Sequence, residues 1–541
     1  MKKGLTAGIL DLLQATTKTS VGLVAILALT FYLRLLYFGQ IIDNDVGYAG
    51  YMGWRMAEGE VLIDIEGPGR PPLYFMLYAV FIRLFGTSVL GLKMFGAVFV
   101  LMAVLAVYWL ANQAYGKKVG LLAALLFGVF SSGPMVEGGT VNFETVLHFP
   151  YILAIGFFVK ALMSGRLRWY FLAGLCAALA TLVKQVGGVL FFVFICYGIY
   201  EWWRGKDSFS IKGCLYRYIL LGGGALLPVM GLIIFYQYHG YTLAELYESM
   251  LASNLRYIQR AHEFTSVLKY FSSSMKGILP ENGLLWLGTM FAAAYLGWRI
   301  WRNRGQASDR ILLWWAFWSF AVLWVTGTFW AHYFLQIIAP FSILAAYGIV
   351  AAWKLAKSLS PFPRFGGQGV WAITLTITVI LFIKTDYKYF FSYTPIEQTV
   401  FQYKGLDINI GYGYGIYNVV IQEIAFYIRN HTDPNETIYV WGIAPQIFFL
   451  AQRKAPTRYW DHGYMSQLVT DKPLQALQRY GPMAMEETKR SPPAYIVQIF
   501  PLELFPELQT FVQDQYMVDG DVEFFVPPYT PYKIHLYRRR P

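Results

Sequence analysis

The chain has 541 residues, of which 56% are hydrophobic and only 14% charged, with a mean hydropathy of +0.43. An ordinary soluble domain carries roughly 25% charged residues, so a soluble globular protein, a disordered chain and a small disulfide scaffold are excluded. The formal net charge of +12 is scattered through short polar loops instead of gathered into a patch, which argues against a nucleic-acid partner and for the charge that orients a polytopic membrane protein.

A helix needs about 20 apolar residues to cross the hydrocarbon layer. Runs of that kind predict eleven crossings, near 20–39, 89–111, 119–135, 146–163, 169–184, 186–203, 218–236, 283–298, 311–328, 333–353 and 369–386. The first run follows Lys2 and Lys3 and lacks a small-residue cleavage site, so it reads as a retained helix. The segment 71–86 is apolar but short, opens on Pro71-Pro72 and contains Arg83, so it predicts an interfacial or re-entrant helix.

Lys and Arg concentrate in alternate connections: Lys2, Lys3 and Lys18, then Lys117 and Lys118, and later Arg299, Arg302, Arg304 and Arg310. The connections 136–145 and 327–332 have none. The positive-inside rule therefore places the N-terminus in the cytoplasm and, with eleven spans in the plasma membrane, the C-terminal region outside. Three outer segments are long: 40–88, 237–282 and 387–541. The last has ordinary polarity and alternates helix-like Ile416–Arg429 with strand-like Thr437–Trp441, Ala494–Ile499 and Lys533–Tyr537, which predicts an extracytoplasmic α/β domain after a membrane domain of 1–386. The segment 237–282 is amphipathic and suits a flap over a site.

The candidate chemistry clusters on the outer side. Asp43 and Asp45 follow the first span, and Arg70 precedes Pro71-Pro72. Glu137 and Glu144 sit in the second outer connection, Lys184 separates two apolar runs, and His332 opens another span. Helix ends in a bundle bring such residues to one layer at the membrane interface. Carboxylates there can take a hydroxyl proton, and Lys, Arg and His can hold a phosphate leaving group. Each residue also has an ordinary role: a solvated loop acid, a snorkelling Lys or a hydrogen-bonded His. Cys176, Cys196 and Cys214 form neither a disulfide framework nor a zinc spacing.

The strings D45-V-G-Y-A-G-Y51-M-G-W-R-M-A-E-G-E with I-D64 and R70-P-P-L-Y resemble the first outer loop of the GT-C membrane glycosyltransferases. The resemblance is to the protein O-mannosyltransferase and aminoarabinose-transferase type, and it continues through N142-F-E144, L-V-K184-Q, H332-Y333-F-L-Q and V440-W-G-I-A-P-Q. It implies a GT-C-like fold with interfacial helices in the first outer loop. It also implies a polyprenyl-phosphate sugar donor, transfer of a hexose or pentose with inversion, and a lipid, glycan or protein acceptor. By that resemblance Asp45, with Asp43 as its alternative, is the base, and Arg70, Lys184 and His332 face the donor phosphate. Asp64, Glu137, Glu144, Tyr51 and Tyr333 are supporting or acceptor-side residues. Relatives of the aminoarabinose type have Glu where this chain has Gly69, so a divalent metal is left open and no cofactor is assigned. The rival reading is a polytopic transporter or lipid flippase, which would place its charges near the bilayer midplane and show a repeated half.

Overall fold

The computed structural model describes residues 2–65, 70–204, 211–252, 264–359, 415–460, 474–526 and 530–541. The chain divides into two compact units. The first comprises 1–38, 96–235 and 261–392; the second comprises 39–95, 236–260 and 393–541. The first outer loop thus packs as part of the C-terminal unit rather than with the helices that flank it in sequence.

Among the described residues, five helices are long and apolar enough to cross a membrane: Val89–Tyr115, Phe143–Ser164, Gln185–Trp203, Gly213–Tyr238 and Ala331–Leu355. Thr19–Leu35 and Arg168–Val183 are apolar but shorter. The expected span 119–135 ends early, at Phe130, because the chain turns at Ser131 and Ser132. The run 283–298 lies inside the long helix Phe264–Trp301, and 311–328 divides into Ala307–Ala321 and Leu323–Thr326. The run 369–386 lies outside the described residues. Leu73–Phe85 is a 13-residue helix, shorter than a crossing needs, as the segment 71–86 predicts.

Small residues let the helices of the first unit approach closely, as packing in a lipid environment requires. A Cβ on Gly348 would come within 2.4 Å of the Gly288 carbonyl oxygen, so Phe264–Trp301 and Leu335–Leu359 touch backbone to backbone. Arg310 and Glu201 are both buried and meet at 2.6 Å, and Arg299 lies 3.7 Å from buried Asp309. Two of the arginines that set the predicted topology therefore also tie helices together.

The second unit contains a four-stranded mixed sheet: β1 (Ile438–Trp441), β2 (Tyr495–Gln498), β3 (Tyr516–Val526) and β4 (Thr530–Arg539). The order is β1-β2-β4-β3, with β1 and β2 parallel and the other pairs antiparallel. The parallel pair needs a crossover, and the connection carries Gln446–Ala451 and Leu474–Arg490. Tyr439, Trp441, Ile496, Leu508, Phe511 and Tyr516 form the core beneath it. The expected helix Ile416–Arg429 lies within the helix Gly415–Asn430, and the three expected strands coincide with β1, β2 and the middle of β4 to within three residues at each end.

Against this sheet region packs the first-loop helix Asn44–Ala57. Its Gly47 is obligatory: a Cβ there would come within 2.2 Å of the Gln446 Cβ. The expected flap 237–282 is not one element. Thr242 and Glu245 form a capping box for Leu243–Tyr247, and residues from Phe264 onward begin the long helix of the first unit.

Neutralising Glu201 with Gln leaves the buried Arg310 charge uncompensated. The expected cost is about 3–5 kcal/mol, read as a lowered thermal unfolding midpoint of the full chain in detergent. An unchanged midpoint would show that the pair does not hold these helices.

Candidate functional site

In the second unit, Asp43 and Asp45 have different tasks despite their proximity in sequence. Asp43 is the N-cap of the first-loop helix: its backbone is extended (φ −86°, ψ −178°) and its Oδ1 accepts the Val46 N–H at 2.8 Å. Asp45 stands in the first turn, exposed, and its side chain has no partner among the described residues.

Tyr48 is one helical turn on from Asp45, on the same face. The Arg70 guanidinium lies 4.3 Å from the centre of the Tyr48 ring, so a cation–π contact holds Arg70 beside that face. Asp64 is exposed on the short helix Leu62–Ile65 and receives the Tyr241 hydroxyl. Burial and that bond push the Tyr241 phenol above its ordinary range. Tyr51 does not line an open surface. It is fully buried, its ring packs on Phe448 and Trp460, and its oxygen accepts from Arg55 and from the Ala455 N–H at 2.9 Å.

Glu60 extends this network. Burial works against its charge, but hydrogen bonds from Arg55 and Lys454 prevail and hold its carboxyl below the ordinary value of 4.5. A depressed acid stabilises the fold above its unfolded pKa and loses that contribution as pH falls through the lower folded value.

The first unit assembles the other residues. Lys184 follows the helix Arg168–Val183 in extended backbone (φ −151°, ψ 134°), which turns its side chain away from the helix it ends. The ammonium pairs with Glu144 and sits 4.3 Å from the centre of the Tyr333 ring. Glu144 lies in the first turn of Phe143–Ser164, is 1% exposed, and keeps Oε2 without a protein partner among the described residues. His332 Nδ1 is 2.7 Å from Glu137 Oε2. Glu137 adopts left-handed backbone (φ 52°, ψ 37°), unusual for a residue with a Cβ. Such strain persists only where the surroundings enforce it, and here buried Glu281 accepts the Met135 N–H at 3.1 Å and pins the turn.

Sequence reasoning missed Glu281 and His148. Glu281 interrupts an apolar run directly after Pro280, a signal that was there to read. His148 lies one turn after Glu144, is buried, and bonds the Leu335 carbonyl through Nε2 at 2.8 Å. Among the described residues, no three of His, Cys, Asp and Glu gather as a metal site, so no step is assigned to a metal.

The first unit therefore presents a lysine and a histidine, each oriented by a carboxylate, with a tyrosine ring beside the lysine. The second presents a carboxylate with no partner among the described residues, and an arginine stacked on the tyrosine one helical turn away. Residues 69–230, under a third of the chain, match the family model described as dolichyl-phosphate-mannose-protein mannosyltransferase. Arg70, Glu137, Glu144 and Lys184 all fall in that stretch. The structure resembles ArnT from Cupriavidus metallidurans in the apo state (TM-score 0.55, 14% identity, covering 97% of this chain and 98% of that one). It is similar to the same protein bound to undecaprenyl phosphate (TM-score 0.54, 13% identity, 96% and 98%). It is also similar to the archaeal oligosaccharyltransferase AglB from Archaeoglobus fulgidus in complex with an inhibitory peptide and a dolichol-phosphate (TM-score 0.55, 13% identity, 94% and 74%). The chain has the fold of a GT-C membrane glycosyltransferase. No curated protein sequence matches it.

Replacing Glu281 with Ala frees the turn that holds Glu137. The expected result is faster hydrogen exchange at 134–140 and a loosened His332, read as a changed His332 titration by NMR of the labelled ring. An unaltered titration would show that Glu281 does not set the His332 environment.

Proposed function

We propose that this protein is an inverting glycosyltransferase that moves a sugar from a polyprenyl-phosphate donor to a hydroxyl acceptor on the extracytoplasmic face of the membrane. The observation that carries the reading is Lys184, paired with Glu144 and 4.3 Å from the centre of the Tyr333 ring, in a unit that also carries an apolar groove. The groove has a volume of about 430 Å³ and is lined by Ala178, Thr181, Leu182, Gly222, Ala225 and Leu226, among others. An apolar groove and a lysine held by a carboxylate in one unit suit an amphiphile with a hydrocarbon chain and an anionic head. The undecaprenyl phosphate in the ArnT structure and the dolichol-phosphate in the AglB structure are ligands of that kind.

Lys184 and His332, each held by its own carboxylate, Glu144 or Glu137, are the groups proposed to neutralise the departing phosphate. On the resemblance of the first-loop string, Asp45 removes the acceptor hydroxyl proton, and Arg70 adds positive charge for the phosphate. The acceptor oxygen bonds to the anomeric carbon as the bond to the phosphate oxygen breaks. The electron pair leaves on the polyprenyl phosphate, and one in-line displacement inverts the sugar. Asp43 is occupied by capping, which favours Asp45 as the base. Either a hexose or a pentose fits this chemistry, and so does a lipid, glycan or protein acceptor. The similarities offer nothing to the transporter reading.

Asp45→Asn removes the base while keeping the shape of the side chain. Transfer is expected to fall about 10²- to 10⁴-fold, with binding of undecaprenyl phosphate retained. Lys184→Ala is expected to weaken that binding. Undiminished transfer by Asp45→Asn, or normal lipid-phosphate affinity in Lys184→Ala, would reject the assignments.

A further inference from the structure

The segment 452–460 holds the first-loop region at successive points. Lys454 Nζ bridges Glu58 Oε2 at 2.7 Å and Glu60 Oε1 at 2.9 Å. Arg55, on the last turn of the helix, donates to the same Glu60 oxygen at 2.7 Å. The Ala455 N–H reaches the Tyr51 hydroxyl, and Trp460 Nε1 donates to the Ile65 carbonyl at 2.8 Å. Upstream, Gln446 and Phe449 press on Gly47 and Gly50 of the same helix. One stretch of the C-terminal unit, 446–460, therefore contacts the helix Asn44–Ala57 from its first turn to its last and holds the residues just beyond it.

We propose that Lys454 is a positioning residue that sets the angle of the Asp45 helix and so places its carboxylate. This rests on the reading of Asp45 as the base. The contacts differ in what they can do. Tyr51, Gly47 and Trp460 are enclosed and give the helix its seat. Lys454 is about two-fifths exposed, and exposed ion pairs add little to global stability. Its two carboxylate partners lie just past the helix end opposite Asp45. A single ammonium joined to both fixes how that end sits, and a helix transmits a tilt along its length as a rigid rod. Over the 14 residues of this helix the rod is about 20 Å long, so a small change at Glu58 and Glu60 moves Asp45. Misplacement of a reacting group by about 1 Å can cost on the order of 100-fold in rate.

The test uses the full chain in lipid nanodiscs with Lys454→Met, which removes the charge and keeps the stem, and Lys454→Arg, which keeps the charge. Three quantities are read: hydrogen exchange of residues 44–57, affinity for undecaprenyl phosphate, and kcat and KM for release of undecaprenyl phosphate from mannosyl-phosphoundecaprenol in vesicles of the source membrane. Lys454→Met is expected to speed exchange at 44–57 and to lower kcat about ten- to a hundredfold. Donor KM, undecaprenyl phosphate affinity and the thermal midpoint are expected to stay at the wild-type level. Lys454→Arg is expected to restore kcat to within a few-fold. Unchanged exchange at 44–57, unchanged kcat, or a fall in kcat matched by a fall in thermal midpoint would overturn the positioning role. Wild-type protein that neither binds undecaprenyl phosphate nor releases it from the donor would instead reject the glycosyltransferase reading, and the exchange at 44–57 would still decide whether Lys454 holds the helix.

Discussion

A charge withdrawn from water among apolar helices must find a counter-charge or a hydrogen bond, and the first unit is organised around that requirement. Lys184 has Glu144, His332 has Glu137, Arg310 has Glu201, and Glu281 has the Met135 amide. Each pairing joins elements that are far apart in sequence. The pairs at Arg310 and Arg299 fasten helix ends where nothing else in the sequence suggests a site. Lys184 and His332 are likewise each held by a carboxylate from another element, and each keeps part of its side chain exposed.

The second unit obeys a different constraint, the close approach of backbones. Gly47 and Gly50 permit the first-loop helix to lie against Gln446 and Phe449 with no intervening side chain. That contact joins a loop near the start of the chain to a sheet domain near its end. Once the seat is formed, polar residues around it acquire tasks: Tyr51 becomes an anchor, Glu60 a shared acceptor, and Asp43 a cap. Asp45 is left without a side-chain partner among the described residues.

These two arrangements explain why sequence position alone is a poor guide to role. Asp43 and Asp45 are equivalent by composition and by place after the first apolar run, yet the helix cap separates them. Tyr51 stands in the most specific motif string and is nonetheless enclosed packing. Glu281, outside every motif, holds the strained turn beneath Glu137.

Composition and hydropathy by themselves determined that this is a polytopic helical membrane protein, because apolar runs of that length and frequency have no other solvent. The alternation of polarity after residue 415 determined the helix and three strands of the C-terminal region, because the periods of helix and strand differ. The motif strings determined which family the chain resembles and named Asp45, Arg70, Lys184 and His332. Only the tertiary structure decided how the apolar runs divide into long and short helices, since a run does not record where a chain turns. It alone decided which carboxylate serves which cation, and that residues 39–95 pack with the C-terminal unit. Those outcomes depend on contacts between residues up to about 400 positions apart, such as Tyr51 with Ala455, and no local pattern encodes a partner at that distance.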